Sequence, residues 1–151
     1  MTQFLKIAST HAICLPMIQV ELSRIVISDI NSQQVIFLRE KGGGREFPII
    51  IGLFEATSIN HKVKGIQPPR PKTYDLLTSM VEALGGRFQD VLINRMQEQT
   101  FFAVIRLARG EELIEIDARP SDAIAVAVSN DPPLPIFIEE EILAKALAQK
   151  Y

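Results

Sequence analysis

The chain predicts an α+β fold, and three observations carry that prediction. Short runs such as Val35 to Leu38 and Ile114 to Asp117 alternate apolar with polar residues, the period of a strand with one buried face. Other stretches, such as Ala123, Val126 and Ala127, repeat at helical spacing. The order of three strands and then a helix also occurs twice, so the expected architecture is a layered mixed α and β single domain built from duplicated three-strand-plus-helix units, with an extra central helix and a C-terminal helix.

Met17 to Ser28 reads as a long strand, and Asp29-Ile30-Asn31-Ser32 supplies its turn. Val35 to Leu38 follows, then Lys41-Gly42-Gly43-Gly44 as a second turn, Phe47 to Ile51 as a third strand, and a helix from Gly52 through Val63. His61 to Lys72 cannot stay helical past Gly65 because three prolines follow, which makes it a connector carrying Lys62, Lys64, Arg70 and Lys72 without an acid. Thr73 is placed to cap the next helix, whose Leu76, Leu77, Met80, Val81 and Leu84 share a face until Gly85-Gly86. Phe88 to Asn94, Phe101 to Leu107 and Leu113 to Asp117 are strands, and Pro120 opens a helix as its first residue. Leu134 to Ile138 is a short strand and Glu139 to Ala148 a closing helix. An ungapped offset of 67 residues lays Glu55 on Asp122, Ile25 on Leu92, Arg39 on Arg106 and Ile49 on Ile116, so the repeats span about 20–63 and 87–130. The domain is then 17–148, and 1–16 is an N-terminal extension.

Composition bounds the function. A chain of 151 residues with 47% hydrophobic and 23% charged content is long enough to bury a core. Its net charge of −2 argues against a general electrostatic grip on nucleic acid, so such a role needs a local basic patch. The single Cys14 excludes an internal disulfide and is read as an apolar side chain. No apolar run is long enough to span a bilayer, and the expectation is a soluble cytoplasmic protein without a membrane partner.

The chemistry concentrates where the last repeat strand becomes a helix, because Asp117, Arg119, Ser121 and Asp122 crowd one corner. Glu55 and Asp122 occupy the same early helical turn in the two repeats, where a carboxylate meets free N–H groups and the positive end of the helix dipole. A functional reading has Asp117 and Asp122, with Asp75, converging on a divalent cation that polarises a phosphoryl oxygen or ionises a water. Arg119 and Arg70 then hold a phosphate, with Lys62, Lys64 and Lys72 adding local positive field. In the structural reading Arg119 pairs with a neighbouring acid, the connector is solvated and the carboxylates stabilise helix starts. His11 and His61 stand apart without metal-ligand spacing, and Ser121 has no histidine partner, so it is read as a hydrogen-bonding serine. Walker, dinucleotide and zinc patterns are absent.

Pro69-Arg70-Pro71-Lys72-Thr73-Tyr74-Asp75-Leu76-Leu77, followed by Ile116-Asp117-Ala118-Arg119-Pro120-Ser121-Asp122-Ala123-Ile124 and joined by the Gly52, Glu55, Ala56 pattern, resembles the bifunctional nuclease domain family. The resemblance covers about 17–148. It implies hydrolysis of phosphodiester bonds in DNA and RNA, a duplicated fold and homo-oligomers. The matching polar positions are Glu55, Arg70, Thr73, Asp75, Asp117, Arg119, Ser121 and Asp122. On this reading Asp75, Asp117 and Asp122 are catalytic, Asp117 and Asp122 bind Mg²⁺ or Mn²⁺, Arg70, Lys72 and Arg119 bind phosphate, and Glu55, Thr73 and Ser121 support them. Tyr74 departs from the family pattern, which usually has His after the Thr, and a phenol cannot act as a near-neutral base. The alternative function is a non-catalytic homo-oligomeric binding or regulatory domain in which the motif residues are structural.

Overall fold

Two three-strand meanders, each followed by a helix, share one sheet. The computed structural model describes residues 5–7 as backbone, 16–30 and 33–149. The elements are β1 (Leu5–Ile7), β2 (Met17–Val26), β3 (Gln34–Glu40), β4 (Glu46–Ile51), α1 (Leu53–Val63), α2 (Thr73–Ala83), β5 (Arg87–Gln97), β6 (Thr100–Arg109), β7 (Glu112–Ala118), α3 (Pro120–Ser129), β8 (Ile136–Glu139) and α4 (Glu140–Ala148). His11 and Cys14 lie outside the described residues, as do Asn31 and Ser32 of the first predicted turn. Leu5–Ile7, inside the span read as an extension, pairs antiparallel with β7.

The described strands form one eight-stranded sheet in the order β1-β7-β6-β5-β8-β2-β3-β4. Within each meander the pairing is antiparallel. The short β8 joins the two, antiparallel to β2 and parallel to β5, so β2 and β5 run in opposite directions. Arg39 pairs with Glu21 directly opposite it on β2, and Arg106, 67 residues further on, pairs with Asp90 directly opposite it on β5, although Asp90 stands 69 residues from Glu21.

One face of the sheet is the core. Ile36 and Leu38 of β3, Phe47, Ile49 and Ile51 of β4, and Phe101, Ala103, Ile105 and Leu107 of β6 alternate inward and are buried. The Phe47 and Phe101 rings lie 5.7 Å apart although β3, β2, β8 and β5 separate their strands. At about 4.8 Å per strand a flat sheet would hold them roughly 24 Å apart, so the sheet curls until its ends approach. Bulges in β2 and β5 accompany the bend.

The curl encloses α3. The expected face of Ala123, Val126 and Ala127 is buried, and so are Pro120, Ser121, Ile124 and Ala125, which leaves α3 buried almost all round. Its small residues admit close neighbours: α1 packs alongside, with Ala56 and Ile59 buried. In contrast α2 has no fully buried residue. Its half-buried residues Tyr74, Thr78 and Val81 turn inward, while Leu76, Leu77, Met80 and Leu84 are exposed. The periodicity placed these apolar side chains on one face but did not say that most of that face looks into solvent.

Candidate functional site

Two helix starts meet at one guanidinium, and a third touches one of its acids. Gly52 is the extended N-cap of α1 and Arg119 the extended N-cap of α3, with Pro120 as first helical residue as expected. In the first turn of each helix, Glu55 and Asp122 turn back toward the opening. Arg119 Nε donates to Asp122 Oδ2 at 2.6 Å, and its Nη2 donates to Asp122 Oδ1 at 3.0 Å and to Glu55 Oε1 at 2.8 Å. The repeat-equivalent carboxylates therefore share one cation. Gly52 matters here because a Cβ would collide with the Glu55 carboxylate. The Glu55 side chain is only 13% exposed and that of Asp122 30%, whereas Arg119 is 67% exposed, so the acids lie beneath and the guanidinium faces out. Asp122 first, and Glu55 with it, holds Arg119 protonated beyond its ordinary range.

From α2, the Tyr74 hydroxyl donates to Asp122 Oδ1 at 2.9 Å. Burial, then the Asp122 carboxylate, pushes the Tyr74 phenol up, so it is a fixed donor at neutral pH. On its other side Arg119 borders a groove of about 410 Å³ lined by Pro48 to Gly52, by Gln99 to Phe101 and by Pro120 and Ser121.

A second cluster adjoins the first where the connector enters α2. Lys62 Nζ lies 2.6 Å from Asp75 Oδ1, and the Lys72 backbone N–H donates to Asp75 Oδ2 at 2.9 Å. Thr73 is thus the first helical residue rather than the cap, and Asp75 satisfies the N-cap N–H. Burial alone would raise the Asp75 carboxyl; Lys62 and the Lys72 N–H together leave it below its usual range. A depressed carboxyl stabilises the fold fully above its unfolded pKa of about 4, and that contribution disappears as pH falls through the lower folded value. Asp75→Asn is therefore expected to cost about 1 kcal/mol at pH 7 and progressively less in acid, measured by urea unfolding across pH 2 to 7.

The predicted residues do not form one centre. Glu55, Arg119 and Asp122 are joined, and Asp75 stands beside Tyr74 with Lys62. Asp117 is exposed on β7. Ile114 and Ile116 of that strand pack toward the core, so alternation turns Asp117 to the outer face, away from Asp122. This corrects the expectation that Asp117, Asp122 and Asp75 converge on a cation. Both Asp122 oxygens take Arg119 donors, Asp75 takes an ammonium, and among the described residues no group of three His, Cys, Asp or Glu is placed to hold a metal ion. A divalent ion held by one or two carboxylates with water and a substrate phosphate would have to share Asp122 or Asp75 with the cation that already holds it. Arg70 and Thr73 are exposed on the connector and first turn, Ser121 is buried beside the groove, and Lys72 Nζ lies 2.5 Å from His61 Nδ1. His61 is thus half-buried and paired rather than isolated. Sequence reading missed the Lys62–Asp75 and His61–Lys72 contacts, because the proline-rich connector between them leaves no periodic signal.

The family model for the bifunctional nuclease domain matches residues 36–150. The chain belongs to this family. An uncharacterized protein of Mycobacterium tuberculosis is 39% identical over 128 residues, 85% of this chain and 75% of that protein. Among plant relatives, bifunctional nuclease 1 of Arabidopsis thaliana is 27% identical over 105 residues, and bifunctional nuclease 2 of Oryza sativa subsp. japonica 30% over 114. These alignments cover 68% and 73% of this chain but only 32% and 35% of the plant proteins. In this bifunctional nuclease domain no helix is long and apolar enough to cross a membrane among the described residues.

Proposed function

We propose that this bifunctional nuclease domain hydrolyses phosphodiester bonds of single-stranded DNA and RNA at the Arg119 cluster. The observation that carries the reading is an exposed guanidinium, anchored by two carboxylates, at the border of an open groove in a chain of this family. Arg119 receives the scissile phosphate and stabilises the charge that develops on its oxygens. Asp122 is the adjoining carboxylate suited to orient water and take its proton, and Glu55 fixes the guanidinium from below. Across the two clusters, Arg119, Lys62, Lys72 and the connector's Arg70 outnumber Glu55, Asp75 and Asp122 by one charge, which favours an anion. The carboxylates carry no metal-held step in this reading. Purified protein is expected to cut single-stranded DNA and RNA oligonucleotides, assayed with Mg²⁺, with Mn²⁺ and with chelator, and to lose cleavage in a folded Asp122→Ala variant. Retained cleavage in that variant would remove Asp122 from the mechanism.

Position 74 sets the rate on this reading, because its side chain touches Asp122. Tyr74→His is expected to raise cleavage at neutral pH several-fold and to add a limb to the pH profile near 6.5, where imidazole titrates. An unchanged profile would take position 74 out of proton transfer.

One observation favours the second reading, a homo-oligomeric binding domain. Leu76 (54% exposed), Met80 (53%) and Leu84 (76%) form an open apolar stripe along α2 suited to a second copy. Light scattering is expected to report an oligomer, and Met80→Lys with Leu84→Lys to reduce it to monomer. A parent protein already monomeric would count against this reading.

A further inference from the structure

A cavity of about 790 Å³ lies at the opposite end of the α1–α3 pair from Arg119. It opens where α1 ends at Asn60 to Lys64, where α3 ends at Val128, and beside β2, which β8 covers only from Met17 to Val20. Val128 is about 12 Å along α3 from Pro120 at 1.5 Å per residue, so this space is separate from the Arg119 groove. Its volume falls within the range of small-molecule sites.

The lining is chemically divided. Its floor is apolar, with Val20 and Ile136 buried and Leu22, Ile25 and Leu134 half-buried. Lysines from separate elements stand at its rim: Lys41 from the turn after β3, and Lys62 and Lys64 from the end of α1. Lys41 and Lys64 have no ion-pair partner among the described residues, and Glu21, the lining acid, is paired with Arg39. The Asn60, Lys62 and His61 carbonyls at the end of α1 accept the Lys64, Gly65 and Ile66 N–H groups, and the negative end of the helix dipole there is offset by the Lys62 and Lys64 ammonium groups. The half-buried side-chain amides of Gln19 and Asn60 also make no hydrogen bond among the described residues, which leaves donors and acceptors within an apolar wall.

We infer that this cavity binds a small phosphomonoester carrying a ring system of the nucleoside monophosphate class, with the phosphate at Lys41 and Lys64 and the ring against the apolar floor. The free amides distinguish this occupant from a fatty acid: a base edge would pair with Gln19 and Asn60, whereas a hydrocarbon chain would bury them unsatisfied. None of Glu55, Tyr74, Arg119 and Asp122 lines the cavity, and Lys62, held by Asp75, is the one group shared with the anion-favouring charges of the nuclease reading.

The test is calorimetric titration of the whole chain with adenosine 5′-monophosphate at low salt. Submillimolar binding is expected, at least tenfold weaker for adenosine and for inorganic phosphate alone. Lys41→Glu and Lys64→Glu, both at exposed positions and checked for folding by circular dichroism, are each expected to weaken binding at least tenfold, and Arg119→Ala less than twofold. No binding of adenosine monophosphate to the parent would overturn the inference. So would loss in Arg119→Ala with retention in both lysine variants, which would put the ligand at the other end of the helices. Tighter binding of dodecanoate than of the nucleotide would overturn the ligand class.

Discussion

Arg119→Ala is expected to lower cleavage of single-stranded nucleic acid by about 100-fold or more while costing about 1–3 kcal/mol of stability, with the fold retained. With 67% of its side chain open to solvent, Arg119 faces the groove where a phosphate would bind, whereas its loss leaves Glu55 and Asp122, 13% and 30% exposed, without their shared cation. Arg119→Lys sharpens the test, because a single ammonium cannot reproduce the two Arg119–Asp122 bonds together with the Glu55 bond. Lysine should restore charge but recover only a small part of the rate, measured with oligonucleotide substrates beside urea unfolding midpoints. Equal rates for the arginine, lysine and alanine proteins would place the chemistry elsewhere.

The largest loss of stability is expected from Phe47→Ala, about 3–5 kcal/mol by chemical denaturation. Phe47 is 1% exposed and its ring meets Phe101 across the closing edge of the curled sheet. Removing it leaves a void where β4 and β6 approach, and the groove beside Arg119 is built from those same strand ends. Phe47→Leu, which keeps much of the volume, should cost markedly less; an equal cost would mean that ring contact rather than filling holds the sheet closed.

Local pattern explains why the elements were legible. The alternation of Ile114 and Ile116 with charged residues, and Pro120 at the head of α3, are encoded within a few residues and appear where expected. Arg39 and Arg106, 67 residues apart, each stand in the middle strand of a meander opposite an acid. Curvature was not legible, since it arises from twist and bulges accumulated over the whole sheet, and with it the burial of α3 on nearly all sides was hidden. Two motif aspartates close in sequence, Asp117 and Asp122, are turned apart because a strand alternates faces just before its chain enters a helix. Tyr74 and Asp122, far apart in sequence, touch because α2 packs on α3. Nearness along the chain was thus a poor guide to what touches what, whereas Glu55 and Asp122, which the offset of 67 lays on one another, each lie in the first turn of a helix.

That equivalence is broken at one position. Where the second unit has Arg119, the first has Gly52, so two acids share a single base. Arginine at both places would force two guanidinium groups together, and glycine at both would leave two carboxylates facing each other. A single chain can differ between its two units, and that asymmetry gives the pair of acids one cation to share.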